Sequence, residues 1–223
     1  MYKTVTHNVV EEHYDHPSMS QENALLPMYV MNEDTMMFRM DSRSLWAKYA
    51  WGLLNYGISM TADLPVKEQV EARMFKNARA LGDFITPYYG ISAGSRFSDI
   101  LSAIGQTGID AVKATLENET LDKLNAMWTD QIDILAKFLV ELNPGNWPET
   151  LTTDYFGNIV GFWVDEIQAR ANKDSVADEN AIDNLNKTVV VGVRNSVPTH
   201  KSSSWADIFS RGIIAQFPTL FAE

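Results

Sequence analysis

Residues 64–90 read LPVKEQVEARMFKNARALGDFITPYYG, and this stretch decides the fold. Val66, Val70, Met74, Asn77, Leu81 and Ile85 recur three and four apart, the spacing that lines one face of an α-helix. Pro65 suits the first turn, where a missing N–H costs nothing, and Pro87 predicts the stop. Tyr88-Tyr89-Gly90 then reads as a corner, with Ser92 as the next cap. A helix bounded in this way, with no strand-like alternation beside it, predicts helix packed on helix.

The same punctuation recurs outward from this stretch. Behind an Asp41-Ser42 cap, Trp46, Tyr49, Leu53, Tyr56 and Met60 form a helical stripe, and Phe97, Leu101, Ile104, Gly108 and Val112 form another. Leu121, Leu124, Trp128, Gln131, Leu135, Phe138 and Leu142 follow a heptad seam containing one polar residue. Asn143-Pro144 ends it and opens the corner Asn143–Pro148. Tyr155, Ile159, Trp163 and Ile167 mark a shorter helix. Ala181–Val193 reads two ways: Thr188–Val193 is β-branched enough for a strand, whereas Ile182, Leu185 and Val189 favour a helix. Ser202-Ser203-Ser204 precede a last helix through Trp205, Ile208, Ile213 and Phe217.

Helices are thus predicted near 43–61, 66–86, 92–115, 119–142, 153–171, 176–194 and 204–216. The fold class is all-α: an up-and-down bundle of six to seven helices over residues 43–223, behind a mostly non-helical N-terminal arm, residues 1–42. Trp46, Tyr49, Leu81, Leu101, Ile104, Trp128, Leu135 and Phe138 should share its core. Trp46, Trp128, Trp163, Trp205, Met60 and Met74 fall on helix stripes, so packing is their expected role.

The arm differs in kind. It carries seven acidic residues (Glu11, Glu12, Asp15, Glu22, Glu33, Asp34, Asp41) against Lys3 and Arg39, and shows no sustained helical period. Met28, Tyr29, Met31, Met36, Met37, Phe38 and Met40 give it an apolar surface better explained by docking than by solvent, and these are the candidate partner-binding residues.

Composition excludes several classes of function. A net charge of -11 disfavours binding nucleic acid through its phosphates, or anionic membranes through their head groups. No apolar run reaches the roughly 20 residues that a bilayer span needs. The first residues lack the charged and apolar regions of a secretory signal, which points to the cytoplasm or the inside of a large assembly. Cysteine is absent, so disulfides, thiolate metal sites and cysteine nucleophiles are excluded.

From Leu45 to Phe221 the chain resembles an uncharacterised bacterial four-helix-bundle family. The resemblance rests on Leu45-Trp46, Pro87-Tyr88-Tyr89-Gly90, Asn143-Pro144 with Trp147-Pro148, and Gly212-Ile213-Ile214-Ala215-Gln216-Phe217-Pro218. Arg73, Asn77 and Gly82-Asp83 are similar to that family's second helix. The resemblance implies a bundle. Kinase or glycosyltransferase labels carried by such sequences find no supporting residues here. Where the family pattern places inward histidines, this chain has Tyr49 and Ile104, and none follows Trp147-Pro148 closely.

No residue qualifies as catalytic, and no cofactor or metal is expected. The carboxylate pairs Glu68/Glu71 and Asp130/Asp133 read as solvated helix faces. His13 and His16 with Glu11, Glu12 and Asp15 form the densest ligand-type cluster, in what reads as a polar turn. His200 beside the three serines reads as part of a loop and cap. The expectation is a non-enzymatic structural or interaction protein, anchored by its arm among other chains of an assembly, for example as a minor virion component. The alternative is a small-ligand- or metal-binding bundle, enzymatic or not, using Tyr49, Glu68, Asp83 and the Tyr88-Tyr89 corner.

Overall fold

The computed structural model describes residues 31–192 and 202–222, and every structural statement below concerns these. It contains seven α-helices: α1 (Glu33–Thr61), α2 (Lys67–Tyr89), α3 (Ile91–Leu116), α4 (Asp122–Leu142), α5 (Glu149–Ala171), α6 (Ser175–Asn186) and α7 (Trp205–Gln216). A π-helical turn (Lys187–Val191) prolongs α6, and a short 3-10 turn (Pro218–Phe221) follows α7. Among the described residues there is no strand, and successive helices pack as up-and-down neighbours. Residues 188–191 of the β-branched run are therefore helical, the register widened by one residue, with Val189 buried.

The largest departure from expectation is the start of α1. Asp41 and Ser42 do not cap it; they lie within it. The cap is Asn32, whose side-chain oxygen accepts the Thr35 N–H at 2.9 Å while Thr35 Oγ1 accepts the Asn32 N–H at 3.0 Å. Residues 33–42 thus belong to the bundle, and the boundary drawn at residue 42 is corrected accordingly. The inward positions there are Thr35, Phe38 and Ser42. Phe38 stacks on Phe84 at 4.7 Å and meets Tyr88 and Phe221. Ser42 Oγ donates to the Ala206 carbonyl at 3.1 Å.

Smaller corrections concern helix ends. Pro65 lies before α2, Pro87 sits inside its last turn, and Gly90 at φ 86° separates α2 from α3 in place of a Ser92 cap. Proline is tolerated there because only one intrahelical bond is lost so close to the end. Below that corner α2 and α3 touch backbone to backbone. A Cβ on Gly82 would sit 2.3 Å from the Gly94 carbonyl oxygen, and one on Gly94 would sit 2.7 Å from that of Gly82.

All eight expected core residues are buried in one cluster. Trp46 is the hub: the rings of Tyr49, Phe97, Phe156, Trp205 and Phe209 meet it edge-on. Gln131, the polar residue in the α4 seam, bonds the Thr107 hydroxyl at 3.0 Å.

Candidate functional site

Up-and-down topology brings residues 87–90, 143–148 and 212–218 to one end of the bundle, together with the N-terminus of α1. Tyr89 Oη donates to Gln216 Oε1 at 2.7 Å, and Asn143 Nδ2 donates to the Gly212 carbonyl at 2.9 Å. Trp147 stacks on Phe209 at 4.8 Å. A Cβ on Gly212 would meet the Trp147 indole nitrogen at 2.4 Å, so that glycine makes room for the ring. These motifs form a packed latch.

Beside the latch, the first turns of α1 and the residue before its cap present four of the expected docking residues. Met31, Met36, Met37 and Met40 are between 47% and 59% exposed. Phe38 is not among them: its ring is buried under Phe84, Tyr88 and Phe221, so its assignment to a partner is corrected. Met28 and Tyr29 lie outside the described residues. The helix beneath the methionines is pinned to α7, since Arg39 and Arg43 reach the two Asp207 oxygens at 2.8 and 2.6 Å. Burial pushes the Asp207 carboxyl up, but hydrogen bonds from Arg43 and Arg39 outweigh this and hold it below the ordinary range. The methionine face is therefore displayed from a rigid base.

The residues of the alternative reading do not converge. Tyr49 is buried, donates to the Leu101 carbonyl at 2.8 Å, and burial pushes its hydroxyl pKa well up. Glu68 and Asp83 are exposed on α2, as are Asp130 and Asp133 on α4, whereas Tyr88 and Tyr89 belong to the latch. Tyr56, raised to about 12, owes this to burial first and then to Glu71, Asp110 and Glu68. Among the described residues no three His, Cys, Asp or Glu side chains gather closely enough to hold a metal ion. The four histidines lie outside the described residues. No described helix is long and apolar enough to cross a membrane.

Sequence reading missed two features. On α5, Glu166 is fully buried and ion-paired with Arg170, which also reaches Asp178 Oδ1 at 3.1 Å. Its second oxygen has no hydrogen-bond partner among the described residues. Burial pushes this carboxyl up to about 7, against the hydrogen bond and charge of Arg170, with a further rise from Asp178. The pairing of Glu166 with Arg170, four residues on, was the available signal, but nothing local marks that position as inward. The second feature is Trp51, 45% exposed at the mouth of a groove between α1 and α2, whereas the other five tryptophans are buried.

Compared with family models, curated proteins and solved structures, the chain matches none of them.

Proposed function

We propose that this chain is a non-enzymatic structural or interaction protein, a helical bundle anchored through its N-terminal region in a larger assembly, such as a virion in which it is a minor component. The observation that carries this is the methionine face of α1. Met36, Met37 and Met40 stand in solvent on a helix fixed by Phe38 and the Arg39/Arg43–Asp207 bridges, with Met31 exposed just before its cap. Methionine is flexible and polarizable, and surfaces rich in it adapt to apolar partners. Nothing in the fold of this bundle requires those side chains to be apolar, whereas a partner surface would.

The test is competitive incorporation. Tagged wild-type chain and an M36K/M37K/M40K variant, expressed together in the source cells, are quantified by mass spectrometry in the high-molecular-weight fraction. The variant should be depleted there by about tenfold or more, as expected for losing a few interface anchors, with unchanged helical content. Equal incorporation would rule out the methionine face as the anchor.

A further inference from the structure

The groove between α1 and α2 has its own chemistry, distinct from the methionine face. It encloses about 550 Å³. Trp51 of α1 forms one wall, and Leu64 and Val66 of the α1–α2 connection stand exposed at its end. Lys48 precedes Trp51 by one helical turn, and Arg73 faces it from α2. Neither cation forms an ion pair with a described residue, and no carboxylate lines the groove.

Two other grooves give the comparison. That between α2 and α3 sets Lys76 and Arg79 against Asp83 and Asp99, so its charges balance. That between α5 and α6 carries Asp165 and Asp174 with no cation. In a chain of net charge -11, the α1–α2 groove combines an unbalanced positive rim with a solvent-exposed indole. At physiological salt, charges more than about 8 Å apart are largely screened, so a bound segment feels the local rim more than the distant net charge.

We infer that this groove is a docking site for an acidic peptide segment of a partner protein. One large apolar side chain of that segment lies against Trp51, and flanking Asp or Glu carboxylates pair with Lys48 and Arg73. Asn55 and Gln69, also in the lining, offer amides to an extended backbone. Polyphosphate ligands fit less well. Two cations make few phosphate contacts, and a nucleic acid long enough to gain more would run over an acidic surface. The peptide is favoured because one anchor and two carboxylates use every feature of the rim. This inference does not rest on the methionine face: the M36K/M37K/M40K variant should bind such a peptide as wild type does.

The experiment is selection of a random peptide display library against the immobilised full chain, with a K48E/R73E variant as counter-target. Selected peptides should carry two or more acidic residues around an aromatic or leucine anchor. As the most exposed of six indoles, Trp51 should also be the main target of acrylamide quenching, and the selected peptides should shield it. Affinity should fall about tenfold or more in K48E/R73E, as it does when complementary charges are reversed, and likewise in W51A, with circular dichroism unchanged in both. Selected sequences that are neutral or basic, that bind the double variant equally, or that leave Trp51 quenching unaltered would overturn the inference. So would failure to enrich any sequence, or binding of a single-stranded oligonucleotide at Trp51 in preference to acidic peptides.

Discussion

Glu166 of α5 aims its carboxylate at the bare backbone of Gly57 in α1, where an added Cβ would sit 3.5 Å from Oε2. That distance is ordinary van der Waals contact, so the carboxylate packs against α1 at this point, while Arg170, which also reaches Asp178 of α6, pairs with it. Three helices therefore meet around one ionisable side chain.

That arrangement predicts a pH dependence of stability. The carboxyl titrates near 7 in the folded chain and near 4.5 in the unfolded one. The folded state thus binds the extra proton between these values, so this stabilisation is full below about 4.5 and is lost as pH rises through about 7. The span corresponds to about 3 kcal/mol. Glu166→Gln keeps the neutral shape at every pH. Urea unfolding at pH 5 and pH 8 should show the variant gaining on wild type by that order at the higher pH. A constant difference between the two would mean that Glu166 is ionised throughout.

Removing the ring of Phe38 should cost about 3–5 kcal/mol, because the cavity opens among Phe84, Tyr88 and Phe221 rather than at the surface. It follows that deleting residues 1–42 should destabilise the bundle, contrary to what an independent arm would do. Thermal melts of the truncated and the full chain check this.

Asp207→Asn leaves two arginines facing a neutral amide. Loss of such a partly buried pair should cost about 3 kcal/mol. The effect should localise: hydrogen exchange of residues 33–42 should accelerate more than that of α4. In wild type, the depressed Asp207 pKa stabilises the fold above the ordinary carboxylate range and is lost as pH falls through the folded value. The acid unfolding limb should therefore shrink in the variant.

Gly82→Ala should cost about 3 kcal/mol or more, at the upper end of overpacking, since the Gly94 backbone carbonyl, which cannot swing aside, opposes the new methyl along with the Ser98 hydroxyl. Gly157→Ala, where nothing lies within 4 Å, is the control and should be neutral or slightly stabilising. Equal melting temperatures for the two would mean that the α2–α3 contact is looser than described.

The helices of the bundle interior were legible because their inward positions hold large apolar residues at helical spacing, Leu101 and Ile104 or Leu135 and Phe138 among them. The first turns of α1 were not, because the periodicity is inverted in character. Small polar residues, Thr35 and Ser42, face inward, while methionines face out. Glu166 was illegible since its burial comes from packing against α1 near Gly57, distant in sequence. Trp51 looked like a core residue by type, and only the path of α2 beside it leaves the ring in water. In each case the deciding neighbour comes from another helix.

The joining of α1 to α7 bears on how the chain matures as it is made. Ser42 and the Ala206 carbonyl that it bonds lie 164 residues apart, and Trp46 takes two of its ring neighbours, Trp205 and Phe209, from the same distant helix. A ribosome-bound chain lacking α7 exposes the Trp46 indole and leaves Arg39 and Arg43 without Asp207. The earlier helices can form locally during synthesis, but the centre cannot close until α7 has cleared the exit tunnel. The nascent bundle is thus an open clamp around an unfilled aromatic slot. Chaperone capture and premature aggregation should centre on that slot, and completion should come as a single late docking event.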